Sequence, residues 1–242
     1  MSTDQGHQRP DMLVETDWLQ EYLDDPQLRI VDMGPIDGFK RGHIPNAIGL
    51  DRDYFKDSTN EVYVMPRDQF AKAMGQSGIG NEHHVVAYDE YGGLYAARLW
   101  WALRLYGHEQ VWILNGGWNK WLREGRPWTQ VPITGYHSHD FNPHPKAEFV
   151  ARPDTSLNCI IDGILDNLSD PNFVTLDVRS RSEYDGTNKR GNRRGGHMPG
   201  TVHIEWSDAV TDDDLRTFKP PDELRKMFEL AGITPEKDIV TY

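Results

Sequence analysis

The chain of 242 residues has a single cysteine, Cys159, so it cannot build an internal disulfide framework or a multi-cysteine zinc site. It also lacks an apolar run of roughly 18 residues, the length a membrane-spanning helix needs. Residues 1–12 are polar, with neither the apolar core of a signal peptide nor the Arg/Ser-rich composition of a transit peptide, and a cytoplasmic location is expected. Basic residues are scarce as well: 26 Lys and Arg against 38 Asp and Glu leave a formal net charge of −12. That balance argues against nucleic acid or an anionic membrane as partner. An anionic substrate would need positive potential supplied locally, by a few arginines or by converging backbone amides.

What remains is a globular composition, 37% hydrophobic and 26% charged, sufficient for one large core or two of about 120 residues each. Helix-like and strand-like patterns alternate. Residues 18–23 read as a helix capped by the segment before it, 28–33 as a strand, 34–38 as a loop and 47–50 as a short strand. A helix is expected over 68–77, a strand over 85–88, a long helix over 94–106, a strand over 110–114 and a helix over 118–124. This alternation predicts an α/β fold with doubly wound parallel sheets. Residues 1–11 read as a disordered tail, 12–130 as a first domain, 131–147 as a Pro-, His- and Gly-rich linker and 148–242 as a second domain.

The second half repeats the first. An offset of 154 carries Gly42-His43-Ile44-Pro45 onto Gly196-His197-Met198-Pro199, Gly78-Ile79 onto Gly232-Ile233, and Val86–Tyr88 onto Val240–Tyr242. Upstream the offset is 145, where Asp32 meets Asp177, so the second half carries nine extra residues, 186–194. These include Lys189, Arg190, Arg193 and Arg194, a basic insertion in an acidic protein. Residues 222–231 read as a helix and 238–242 as a buried parallel strand. By the same offset Asp89 maps one position past Tyr242, and the repeat predicts about 40 further residues in the intact protein.

In this order the motifs resemble one family, the tandem-domain rhodaneses, which are thiosulfate and 3-mercaptopyruvate sulfurtransferases. They are Arg41-Gly-His-Ile-Pro-Asn-Ala47, Val85-Val-Ala-Tyr-Asp89 with Gly93 and Ala96-Ala97-Arg98, Leu114-Asn-Gly-Gly-Trp118, Leu176-Asp-Val-Arg-Ser-Arg181, Gly195-Gly-His-Met-Pro-Gly200 and Val240-Thr-Tyr242. The resemblance implies two rhodanese-like domains, the first non-catalytic with Asp89 in the nucleophile's place, the second catalytic but incomplete here. It further implies that the catalytic cysteine immediately follows Tyr242. Such a thiolate, held by backbone amides at a helix N-terminus, takes sulfane sulfur from thiosulfate as a persulfide and passes it to cyanide or a thiol. No metal or organic cofactor is needed, and a monomer or weak dimer is expected.

The resemblance also ranks the residues. Arg194, and Arg193 beside it, lie where mercaptopyruvate enzymes bring an arginine to the substrate; the alternative is a solvated surface charge. Arg179 is a candidate substrate contact, with a tie to Asp177 that holds the loops together as the favoured role. Glu183 stands where those enzymes carry a second arginine, which favours thiosulfate over mercaptopyruvate. His197 and its counterpart His43 are read as hydrogen-bonding within their turns, Trp206 as a wall of the site or a core residue, and Tyr242 as support. Trp100, Trp101, Trp118 and Trp121 are read as packing residues. Cys159, in an apolar helix-like run over 157–165, is expected to be buried and inert. Two alternatives stand beside thiosulfate transfer: mercaptopyruvate sulfurtransfer, and a non-catalytic binding or sulfur-carrier module. A phosphatase sharing the fold is disfavoured by the tandem arrangement.

Overall fold

In the computed structural model, residues 12–60, 63–130 and 142–242 are described; the expected disordered tail and most of the linker lie outside them. The chain divides into two compact units, Met1–Asp154 and Thr155–Tyr242.

The first unit is built on five parallel strands: β1 (Leu13–Val14), β2 (Leu28–Asp32), β3 (Ile48–Gly49), β4 (His84–Tyr88) and β5 (Val111–Leu114), in the order β1-β5-β4-β2-β3. Both faces of a parallel sheet are covered by crossover helices, so its central strands read as unbroken apolar runs. All of β2 and β5 is buried. The helices are α1 (Thr16–Glu21), α2 (Ile36–Arg41), α3 (Arg67–Gln76), α4 (Leu94–Leu105) and α5 (Gly117–Arg123). Two differ from the sequence reading. The stretch expected as a loop over 34–38 passes into α2, which starts after Pro35, with Asp37 in its first turn and Lys40 and Arg41 in its last, the charge order a helix dipole favours. Helix α1 begins at Thr16, earlier than expected, and the Thr16 hydroxyl donates to Glu124. Strand β1 was not expected, because two residues carry no periodicity.

The second unit has the parallel order β7-β6-β8, from β6 (Phe173–Asp177), β7 (Val202–His203) and β8 (Asp238–Thr241). Its helices are α6 (Ile161–Asn167), α7 (Arg181–Tyr184) and α8 (Pro221–Leu230). The repeat is structural as well as sequential: α1 corresponds to α6, α2 to α7, α3 to α8 and β4 to β8. In the first unit Phe39 stacks on His43 at 3.8 Å, and in the second Tyr184 stacks on His197 at 3.7 Å.

Two expectations about burial are corrected. Strand β8 is parallel but not buried: Asp238, Ile239 and Thr241 are exposed, because β8 is a sheet edge whereas β4 lies between β2 and β5. Cys159 is exposed and lies before α6, outside any helix. The repeat places it at Val14, which is 2% exposed because β1 pairs with β5; among the described residues no strand of the second unit stands where β5 does.

The segment 147–154 belongs to the first unit, so the second begins at Thr155, later than the expected 148. Ala147 N donates to Gly75 O, Arg152 N to Tyr106 O and Asp154 N to Leu105 O. Phe149, 6% exposed, packs edge-on against Phe70. Phe149→Ala is expected to lower the unfolding free energy of the first unit by about 3 kcal/mol or more, the range for emptying a buried aromatic site. Urea denaturation followed by tryptophan fluorescence checks this, and an unchanged midpoint would show that the segment does not stabilise the first unit.

Candidate active site

In open parallel sheets ligands gather beyond the carboxyl ends of the strands, and in the second unit those ends are organised by Asp177. It closes β6 and is fully buried. Arg179 answers it: Nε donates to Oδ1 at 3.0 Å, Nη2 donates to Oδ2, and the Arg179 amide donates to Oδ1 at 2.9 Å. Nη2 also donates to Gly196 O at 3.0 Å, and the guanidinium lies 5.2 Å from the Tyr242 ring centroid. Burial alone would raise the Asp177 carboxyl; the Arg179 side chain and amide outweigh it and hold the group below the usual carboxylate range. Of the two roles open to Arg179, this geometry is that of a tie, joining the β6 end to the 195–200 turn.

Tyr242 follows β8 and completes the tie. Its amide donates to Leu176 O at 3.1 Å, its carbonyl accepts from Val178 N at 3.2 Å, and its hydroxyl accepts from Met198 N at 3.2 Å. His197 Nδ1 lies 2.8 Å from Tyr184 O, as His43 Nδ1 lies 2.7 Å from Phe39 O in the first unit. Trp206 opens the 3₁₀ turn Trp206–Ala209, half-buried, with its amide on Val178 O at 3.0 Å and Arg216 over its ring. His203 was missed by the sequence reading: Nε2 is 2.9 Å from Arg179 O and the ring lies 4.4 Å from that of Tyr184. Its counterpart in the repeat is Gly49, so the repeat itself carried no signal for it.

Glu183 is drawn inward as the closing residue of a capping box on α7, its Oε2 2.7 Å from the Ser180 hydroxyl and its Oε1 3.5 Å from Arg190 Nη1. Burial pushes this carboxyl up, but Ser180 and Arg190 pull it down further, so it stays charged. Arg193 and Arg194 are exposed on the basic insertion and make no ion pair with any described residue.

The first unit displays the loop that follows β4, the strand that β8 repeats. Asp89, 1% exposed, follows β4, and its carboxylate accepts four backbone amides. Tyr91 N and Gly93 N donate to Oδ1 at 2.8 and 2.9 Å, and Tyr95 N and Ala96 N to Oδ2 at 2.8 and 2.9 Å. Left-handed backbone at Gly92 (φ 75°) and Gly93 (φ 90°) turns these amides inward at the start of α4. This is an anion-binding nest occupied by the protein's own carboxylate. Asp32, the counterpart of Asp177, has Gly34 where the second unit has Arg179. Buried without a guanidinium, its carboxyl is pushed up to about 7 despite the Gly34 amide and the Tyr88 hydroxyl.

The two units are thus tandem parallel α/β domains, each with a polar site at the carboxyl edge of its sheet. A rhodanese-like domain model matches residues 15–124. The chain is 35% identical over 252 residues to a protein of Thermus thermophilus named sulfur carrier protein TtuD, covering 98% of this chain and 84% of that one. It is 32% identical over 244 residues to a putative thiosulfate sulfurtransferase of Mycobacterium bovis, covering 97% and 83%. The crystal structure of SseA, a 3-mercaptopyruvate sulfurtransferase of Escherichia coli, superposes with a TM-score of 0.82 at 27% identity, covering 96% of this chain and 88% of that one. The chain belongs to the rhodanese family of sulfurtransferases.

The paired carboxylates predict opposite pH responses. The folded-state acidity of Asp32 lies near 7, above an unfolded value near 3.9, so the folded state binds more protons between these limits and its stability falls as pH rises across them. Asp32→Asn should therefore stabilise the first unit at pH 8 relative to pH 5, by on the order of 2–4 kcal/mol. Asp177 is held low, so its contribution is present above its unfolded value and fades as pH falls through the folded one. Urea titrations of wild type and Asp32→Asn at pH 5 and pH 8 check the first sign, and titrations of wild type and Asp177→Asn at pH 5 and at a pH below about 3.8 check the second; a wild-type-to-variant difference that does not change with pH would contradict them.

Proposed function

We propose that the intact protein transfers sulfane sulfur from thiosulfate to a thiophilic acceptor, through a cysteine that directly follows Tyr242. The observation that carries this reading is the Asp89 nest. Four amides converge on an anionic group at the end of β4, and β8, the same strand of the repeat, ends beside the Asp177–Arg179 tie. A thiolate in such a nest is stabilised as the Asp89 carboxylate is. Its sulfur attacks the outer sulfur of thiosulfate, the new S–S bond forms as the old one breaks, and sulfite leaves with the electron pair. The persulfide is anionic and stays in the nest. Cyanide or a thiolate then attacks the outer sulfur, and the cysteine thiolate returns. Arg194, with Arg193, supplies the positive charge that gathers the dianion. Arg179, Asp177, His197, Trp206 and Tyr242 hold the surrounding loops. Glu183 stands where the resemblance places a second substrate-binding arginine in the mercaptopyruvate enzymes, and without that guanidinium a pyruvate carboxylate lacks its partner, which supports thiosulfate over 3-mercaptopyruvate. The lone cysteine is in keeping with a reducing, cytoplasmic setting.

A second reading, a sulfur carrier that hands its persulfide to a protein acceptor, is favoured by the name of the Thermus thermophilus relative. The two share the first half-reaction. Intact-protein mass spectrometry after thiosulfate should show a gain of about 32 Da on the peptide beginning at Asp238, removed by cyanide. A residue other than cysteine after Tyr242, or no gain, would sink both readings. In the same protein Arg194→Ala should raise the KM for thiosulfate by about tenfold, the loss of one charge-assisted contact, with a smaller change in kcat. Cys159→Ser should leave turnover unchanged.

A further inference from the structure

The first unit contains a cavity of about 250 Å³ at the carboxyl end of β2. Asp32, Gly34 and Gly42 line it, walled by Trp118 and Trp128, with Arg41 and Glu90 also on the lining. The second unit shows what these three residues correspond to. Under the repeat they are Asp177, Arg179 and Gly196, and in the second unit the Arg179 guanidinium bonds both the Asp177 carboxylate and the Gly196 carbonyl. The first unit keeps the carboxylate and the matching glycine but has no side chain at position 34. A Cβ placed on Gly34 would come within 2.9 Å of Asp32 Oδ1, so the glycine leaves the carboxylate open from that side.

We propose that this cavity binds a small guanidinium compound, which occupies the place that Arg179 fills in the other unit. The site has the parts such a cation needs. Asp32 offers a carboxylate for a forked pair of N–H donors, already oriented by the Gly34 amide at 2.8 Å. Trp118 and Trp128 both pack against Gly42, their rings 3.2 and 3.4 Å from where its Cβ would stand, and give the planar cation π faces. A volume of about 250 Å³ admits a small molecule and no folded segment. The groups facing Asp32 are Tyr88, Asp89, Glu90 and the Gly34 amide, with Arg41 across the cavity; with Asp32 ionised the lining carries a net negative charge. Because Asp32 titrates near neutrality, a bound cation displaces its proton. The site is independent of the sulfur-transfer reading, since it uses no residue of the second unit.

The test is calorimetric titration of the 242-residue chain with methylguanidinium chloride, against methylammonium chloride at equal ionic strength. Saturable one-site binding of methylguanidinium is expected at pH 8, at least tenfold tighter than methylammonium. At pH 6 binding should weaken and release protons, read from the dependence of the heat on the buffer. Asp32→Asn should abolish it. Trp128→Ala, at a wall residue that is half-exposed and lies outside the buried core, should weaken it about fivefold, and decides the matter if the Asp32 variant does not fold. Absence of saturable binding, equal binding of methylammonium, or unchanged affinity in Trp128→Ala would each overturn the proposal.

Discussion

A buried carboxylate closes the carboxyl edge of each sheet, and the loops around it are arranged by the way that charge is met. Parallel strands bring their ends to one edge, where backbone groups run out of ladder partners and side chains must supply the hydrogen bonds. In the second unit Arg179 meets Asp177 and, with the same guanidinium, holds the 195–200 turn and lies against Tyr242. Removing either partner of such a pair would leave a buried charge uncompensated, which is why the tie constrains everything near it. In the first unit the charge at Asp32 is met only by an amide and a phenol, and the carboxyl answers by holding its proton to about 7.

Duplication makes the molecule its own control. The histidine turns are superposable in their chemistry, each with a ring stacked on an aromatic residue and a Nδ1 on that residue's carbonyl. The same stack and the same hydrogen bond in both units are what holding the turn requires. Where the copies differ, the differences lie at the site: Gly34 against Arg179, Gly49 against His203, and nine basic-rich residues, 186–194, present in one copy alone. The Asp89 nest shows the other side of this divergence. A loop shaped to hold an anion is filled by a carboxylate of the chain itself, so it contributes to stability.

Burial separates the two units. The first encloses Tyr88, Trp121, Leu99 and Phe70 completely, with β4 flanked on both sides. In the second, β8 is an edge, and Ile160, Ile161 and Leu165 around α6 are more than half exposed. Cys159 shares that exposure for the same reason. The segment 147–154 shows that compactness does not follow composition: it reads as the start of a second domain, yet Phe149 is bound into the aromatic cluster of the first.

The amino-acid sequence determined the α/β alternation, the parallel sheets, the internal repeat and the motifs that define the family, because these are matters of periodicity, glycine placement and spacing along one chain. It also marked Asp177 and Asp89 by their place in the repeat, and Arg179 by the family's motif. It could not say which acceptors a guanidinium would reach, that Glu183 turns inward as a helix cap, or that His203 braces the Arg179 carbonyl, since each depends on side chains brought together from separate elements. Short elements such as β1 and α2 were likewise hidden, being too brief to show a period. The protonation of Asp32 and the exposure of Cys159 were decided by tertiary structure alone, because both depend on what the rest of the chain packs against them.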